Sequence, residues 1–355
     1  MSRLSRITSV VAALAVAGMV ASACGASTEN PQSAGSSTPS SSESSSAAPE
    51  SSSESSSAPE SSSEPAPESS SSAAATSEGE PAPLDLGLAK DDSIASQLPS
   101  SIADAGVLKI ATDASYAPNE FLKDGKGDPI GMDIDLGNAI AQVLGVKTEW
   151  TNTGFDGILA GLSAGRYDLS LSSFTDTKKR EEQVNFVSYL NAGTSIVVAK
   201  GNPKGVSDAT GLCGLKVGAE NGTTQFDMLT DASVDDSVVK ACADAGKPAP
   251  EFSGFPTQND VNVALASGRL DAYMADTPVA EYAVKITGDK FEKVGKDVGV
   301  APYGIAVPKK PAELTTAVQA ALQKLIDDGS YVKILANWGL DDAAITKAEV
   351  NVAVF

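Results

Sequence analysis

Histidine is missing from all 355 residues. Its absence excludes His-based catalytic triads, His-containing zinc sites and the usual neutral-pH proton shuttle. Aromatic residues are missing from the start of the chain up to Tyr116. Nothing upstream of that position can anchor a large core. Between residues 25 and 83 there is neither lysine nor arginine. Basic residues are few throughout, with Lys and Arg totalling 26 against 46 Asp and Glu, a formal net charge of -20. Such a chain repels nucleic acid and anionic lipid, and neither is expected as a partner. No apolar run approaches the roughly 20 residues that a stable membrane-spanning helix needs. Cysteine is scarce, at three residues.

What is present begins with an address. Arg3 and Arg6 precede an uncharged apolar stretch, residues 7–20, that ends in Ala21-Ser22-Ala23-Cys24-Gly25. Charge, length and small-residue ending make residues 1–23 an export signal. Two cleavage readings compete. Ala-x-Ala suits simple secretion, whereas small residues directly before a cysteine suit a lipoprotein box, in which Ala21 replaces the common leucine. The lipoprotein reading is preferred because the next segment makes sense as a tether. From residue 25 to about 83 the chain is almost all Ser, Ala, Pro and Glu. It has too little apolar surface to offset ordering entropy, and proline and like charges keep it extended. Residues 24–97 are therefore expected to be a lipidated Cys24 followed by a disordered linker, on the extracytoplasmic face of the cell membrane. With Cys24 lipidated, Cys213 and Cys242 form an even pair in an exported protein, which favours a disulfide over two free buried thiols.

The folded part is expected from about residue 98, long enough for one large domain or two ordinary lobes. Residues 108–113 read as a short strand. Met132, Leu136, Ile140, Val143 and Leu144 recur at helical spacing up to Gly145. A strand follows over 146–153, a short helix over 155–164, and a strand over 167–173. Residues 194–199 form another apolar run. A second unit holds a strand from 215, a helix over 261–266 and a strand over 272–275. Amphipathic helices come later, at 314–325 and 331–338. Alternation of strand and helix predicts an α/β fold with a mainly parallel sheet and ligand groups beyond the strands' carboxyl ends. The 168–180 segment carries the most chemistry. Its strand stops in a run of small hydroxyl residues that includes Ser173 and Thr175, Thr177 sits where the next helix begins, and Arg180 falls in that helix's first turn. Free N–H groups, hydroxyls and a guanidinium can converge there on a carboxylate. Alone, the same segment also reads as a helix capped by Thr177 with Arg180 on the surface.

Residues 105–340 resemble the extracytoplasmic solute-binding proteins of ABC importers, in the polar amino-acid group. The resemblance rests on ordered motifs: Thr112-Asp113-Ala-Ser-Tyr116-Ala-Pro118, Gly131-Met-Asp-Ile-Asp135-Leu, Phe155-Asp156-Gly157, Thr175-Asp-Thr177-Lys-Lys-Arg180, Gly222-Thr223-Thr224, Gly268-Arg269-Leu-Asp271-Ala, Ala275-Asp276-Thr-Pro278 and Tyr303-Gly304-Ile305. It implies the two-lobed type II periplasmic-binding fold, with lobe 1 at 98–198 plus 302–355 and lobe 2 at 199–301. Crossing strands would lie near 194–199 and 301–307. It implies that Arg180 holds the ligand's α-carboxylate, with Ser173, Thr175 and Thr177 around it and Thr224 approaching from the other lobe. Asp276 would receive the α-ammonium, Tyr116 and Phe155 would wall the side chain, and Asp113 would meet its far end. Phe174 and Thr223 complete the expected ligand-binding set. Asn119 departs from the group, standing where a bulky apolar residue is common.

The expected function is a membrane-tethered amino-acid receptor that closes on its ligand, with a permease as partner, no cofactor or metal, a monomeric state and no catalysis. A sensor module and a cyclic-acid dehydratase are alternatives on the same fold. The latter would need an acid or base from Asp113, Glu120 or Glu220. Those same acids can form a rim that attracts a basic side chain, while Asp113 also suits a glutamine amide.

Overall fold

The computed structural model describes residues 81–355. The export signal, Cys24 and most of the expected linker lie outside the described residues. The linker was expected to run to residue 97, and the structure corrects this. Leu84, Leu86 and Leu88 pack against the first core. Leu84 N–H donates to Asp135 (2.9 Å) and Leu88 N–H to Gln142 (2.7 Å). The alternating leucines bury one face of an extended segment, which then turns into the helices Asp92–Ala95 and Ser100–Ala105.

One eight-stranded sheet runs through the whole of this part. Its spatial order is Lys147–Asn152, Val107–Thr112, Leu169–Ser170, Phe291–Pro308, Val184–Ala199, Ala272–Asp276, Lys216–Glu220 and Glu251–Phe255. Outer neighbours on both sides are parallel, as alternating strands and helices require. The two long central strands are antiparallel to each other. The expected crossing segments at 194–199 and 301–307 are only parts of these strands. The carboxyl-terminal part of one, Tyr303 to Pro308, pairs with Val184 to Leu190. Its amino-terminal part, Phe291 to Val294, pairs with Ile196 to Ala199. Between Val294 and Ala301 the register shifts twice. Such irregularities bend and twist a ladder locally.

Apolar side chains collect into separate cores on either side of that stretch. In the first half, the helices Met132–Leu144, Ala312–Asp327 and Ser330–Trp338 bury Leu136, Ile140, Leu322 and Leu335 against the sheet. The other face carries Phe155, Phe174 and Phe186. The second half has its own pair of cores, one centred on Val217, Met228 and Met274 and one on Leu265, Tyr273 and Phe291. Cys213 and Cys242 are joined, with Cα atoms 5.6 Å apart. The bond ties the Val238–Asp244 helix to the segment leading into Lys216–Glu220.

Candidate functional site

The carboxyl ends of Val107–Thr112, Lys216–Glu220 and Ala272–Asp276 face one cavity between the halves. Its walls come from Asp113, Tyr116, Glu120, Phe155, Ser172, Ser173, Thr175 and Arg180 on one side, and from Glu220, Thr223, Thr224, Gln225 and Asp276 on the other.

Arg180 enters through a turn in which Thr177 caps the helix Lys178–Glu181, its hydroxyl accepting Arg180 N–H at 3.2 Å. Arg180 is 9% exposed. Its Nη1 donates to Thr175 O (2.8 Å), and its Nη2 crosses to Gly222 O in the second half (3.0 Å). Phe174 and Phe155, stacked 4.3 Å apart, support it, with ring centres 5.2 and 5.6 Å from its central carbon. Burial lowers its pKa to about 10, so it stays charged at neutral pH. Phe174 and Thr177 therefore sit beside the cavity rather than on its wall. Phe174 backs Phe155 and Arg180, and Thr177 faces an outer groove.

Ser173 forms the floor in a left-handed conformation, φ 51°. That backbone state costs a non-glycine residue roughly 1–3 kcal/mol and needs support. The support is a buried network. Ser173 N–H donates to Asp133 (3.0 Å), and Tyr189 OH donates to the same oxygen (2.9 Å). Asn119 Nδ2 donates to Ser173 Oγ (2.9 Å), which donates to Glu120 (3.2 Å). Asn119 thus replaces an apolar side chain with a network member. The expected strand over 167–173 is only Leu169–Ser170, because this turn breaks it.

Asp113 follows its strand directly and accepts Phe155 N–H at 2.8 Å. Its own N–H goes to Ser172 Oγ (2.9 Å). Asp276 Oδ1 accepts from Gln225 Nε2 (2.7 Å), and Oδ2 from Tyr116 OH of the other half (3.1 Å). Tyr116 OH also accepts Asp276 N–H (3.1 Å). Burial raises the Asp276 pKa, while the nearby Tyr303 hydroxyl, hydrogen bonds from Gln225 and Tyr116 and the charge of Arg180 pull it back. Burial and neighbouring acids push Glu220 and Glu120 well above the usual carboxylate range. The cavity holds four acids and, among its lining residues, one cation, Arg180. Thr223 caps the helix Thr224–Thr230 and donates to Glu220 O. Gln225 and Ser172 escaped the sequence reading. Gln225 had a weak signal, a polar residue in the first turn after the Gly-Thr-Thr motif. Ser172 had only its place beside Ser173.

Geometry of this kind, a guanidinium and a carboxylate held across a cleft, is complementary to a zwitterion. Residues 108–341 match the model of the bacterial extracellular solute-binding proteins, family 3. The arginine-binding protein ArgT of Corynebacterium glutamicum is 33% identical over 260 residues, 73% of this chain and 82% of that one. An ancestral arginine-binding protein bound to arginine superposes with a TM-score of 0.58 at 36% identity, over 66% of this chain and 98% of that one. An ancestral arginine-binding protein bound to glutamine superposes with a TM-score of 0.59 at 35% identity, over 66% and 97%.

Proposed function

Because the chain belongs to the bacterial extracellular solute-binding proteins of family 3, we propose that it is the receptor of an ABC importer for an amino acid with a basic side chain, arginine above all. The observation that carries this is that Arg180 and Asp276 line one cavity from opposite halves, with the acids Asp113 and Glu220 also on its walls. Arg180 takes the α-carboxylate through parallel charge-assisted hydrogen bonds, with Ser173, Thr175 and Thr224 around it. Asp276 takes the α-ammonium, and Tyr116 and Phe155 flank the carbon chain. A cationic side-chain end then meets carboxylates in a water-poor cavity, where the attraction is strongest. The protein binds its ligand and does not convert it.

Lobe 1 is 98–198 with 302–355, extended by the packed segment from Leu84, and lobe 2 is 199–301. The lobes swing about the irregular stretch of the long strands. Ligand completes contacts to both lobes only when they are shut, so it shifts the population toward the closed form. Cys24 carries lipid, and the Ser/Glu segment lets the receptor stand off the membrane beside its permease.

A thermal-shift screen of the twenty amino acids tests the reading. Arginine present at 100 times its Kd should stabilise by about 2.7 kcal/mol, and Arg180→Ala should lose every such shift. A screen in which only aspartate or glutamate raised the melting temperature, or none did, would overturn it.

A further inference from the structure

One carboxyl in the cavity lacks a donor. Glu220 ends its strand, is 3% exposed, and its Oε1 is buried without a hydrogen-bond partner among the described residues. It lines the same cavity as Asp113 of the first half, and the two carboxyls act on each other. The groups acting most strongly on it are acids: Asp113 after the first strand, Asp276 at the end of Ala272–Asp276, and Asp156 in the turn Phe155–Gly157. Tyr116 also lies within its field. The cavity's cation, Arg180, acts on Asp276. Glu120 differs in kind, since it is engaged by Ser173 and Asp133 within the floor network.

Two neighbouring carboxyls in a buried cavity disfavour each other's ionisation unless a cation lies between them. Asp113 accepts Phe155 N–H and is hydrogen-bonded by Ser115, which favours its charged form. Glu220 has no such support. Of the two, Glu220 is the one placed to keep a proton facing Asp113.

We propose that Glu220 sets side-chain specificity, acting with Asp113 as a two-carboxyl acceptor that chooses between a guanidinium and an amide by whether Glu220 holds its proton. This rests on the amino-acid-binding reading above. A guanidinium offers five N–H donors and no acceptor. Against it, the Glu220 O–H is a donor facing donors, so the proton leaves to solvent as the cation enters, and two carboxylates flank one charge. An amide offers both a carbonyl and an NH2. It accepts from Glu220 O–H and donates to Asp113, and no proton is released. Arginine affinity should then rise about tenfold per pH unit while Glu220 remains protonated, and glutamine affinity should not.

Calorimetric titration of the purified protein, at pH 6 and in two buffers of different ionisation enthalpy, tests this. Release of close to one proton with arginine is expected. Glu220→Gln, which fixes the protonated geometry, should lower arginine affinity 10- to 100-fold, abolish the proton release and leave glutamine binding intact or tighter. Arginine binding that is flat from pH 5 to 7, or a folded Glu220→Gln protein that binds arginine as tightly as the parent, would overturn the inference alone. The proton count on the unmodified protein decides the matter even where the variant fails to fold. Failure of every amino acid to bind the unmodified protein would overturn the underlying reading as well.

Discussion

Asp133 shows how one buried carboxyl can support a site it does not line. It holds the Ser173 backbone in its left-handed turn and takes the Tyr189 hydroxyl. Burial raises its pKa to about 6, against hydrogen bonds from Glu120, Ser173 and Tyr189 that lower it. The unfolded value is near 3.8, so between these pH values the folded state holds more proton than the unfolded. Stability must then fall as pH rises through that window. The loss is on the order of 2–3 kcal/mol for this carboxyl. Asparagine keeps an acceptor for both donors and offers Glu120 an N–H. Asp133→Asn is therefore expected to flatten the melting-temperature profile between about pH 4 and 6. An unchanged profile in a chemical-denaturation series across that range would count against the assignment. Arg180, Asp113 and Asp276 were legible residue by residue, because each sits in a short motif at a strand end or helix start. The bond from Gln225 to Asp276 and the placing of Glu220 among acids were not, because those neighbours lie far away in sequence.

Among the elements, the Cys213–Cys242 bridge closes a separation of 29 residues beside the Val217, Met228 and Met274 core of the second half. In the chain-entropy account such a loop is worth about 3–4 kcal/mol. Replacing both cysteines by serine should lower the denaturation midpoint accordingly. Arginine affinity at 25 °C should change less than threefold, since neither cysteine lines the cavity. Equal stability with and without reductant would refute the estimate. Other elements divide by how much local pattern they carry. The helix Met132–Leu144 shows a clean apolar period and ends at Gly145 in a left-handed cap, so its bounds were readable. The small sheet of Ser115–Tyr116, Glu120–Leu122 and Pro129–Ile130 was not, because two- and three-residue strands have no period to read. The long strand Phe291–Pro308 was half legible. Its stretch from Gly295 to Gly299 mixes glycine and charge where the register shifts, and only its apolar end looked like a strand.

At the scale of the whole molecule, Gly222 sits where the halves face each other across the cavity. It has φ +78°, its carbonyl accepts from Arg180, and an added Cβ would lie 3.1 Å from the Cα and Cβ of Asp156 on the opposite half. Gly222→Ala should therefore obstruct closure more than folding. Arginine affinity is expected to fall at least about tenfold, and the contraction in radius of gyration on adding arginine, measured by small-angle scattering, should shrink. Wild-type contraction and affinity together would show that the halves do not close through this contact. A different consequence follows from Tyr116 and Asp276, which join the halves by two hydrogen bonds of 3.1 Å made wholly of protein atoms. Adhesion of this kind works without cargo. It sets a background of shut receptors, and a ligand registers as signal only to the extent that its own bonds outweigh that standing grip.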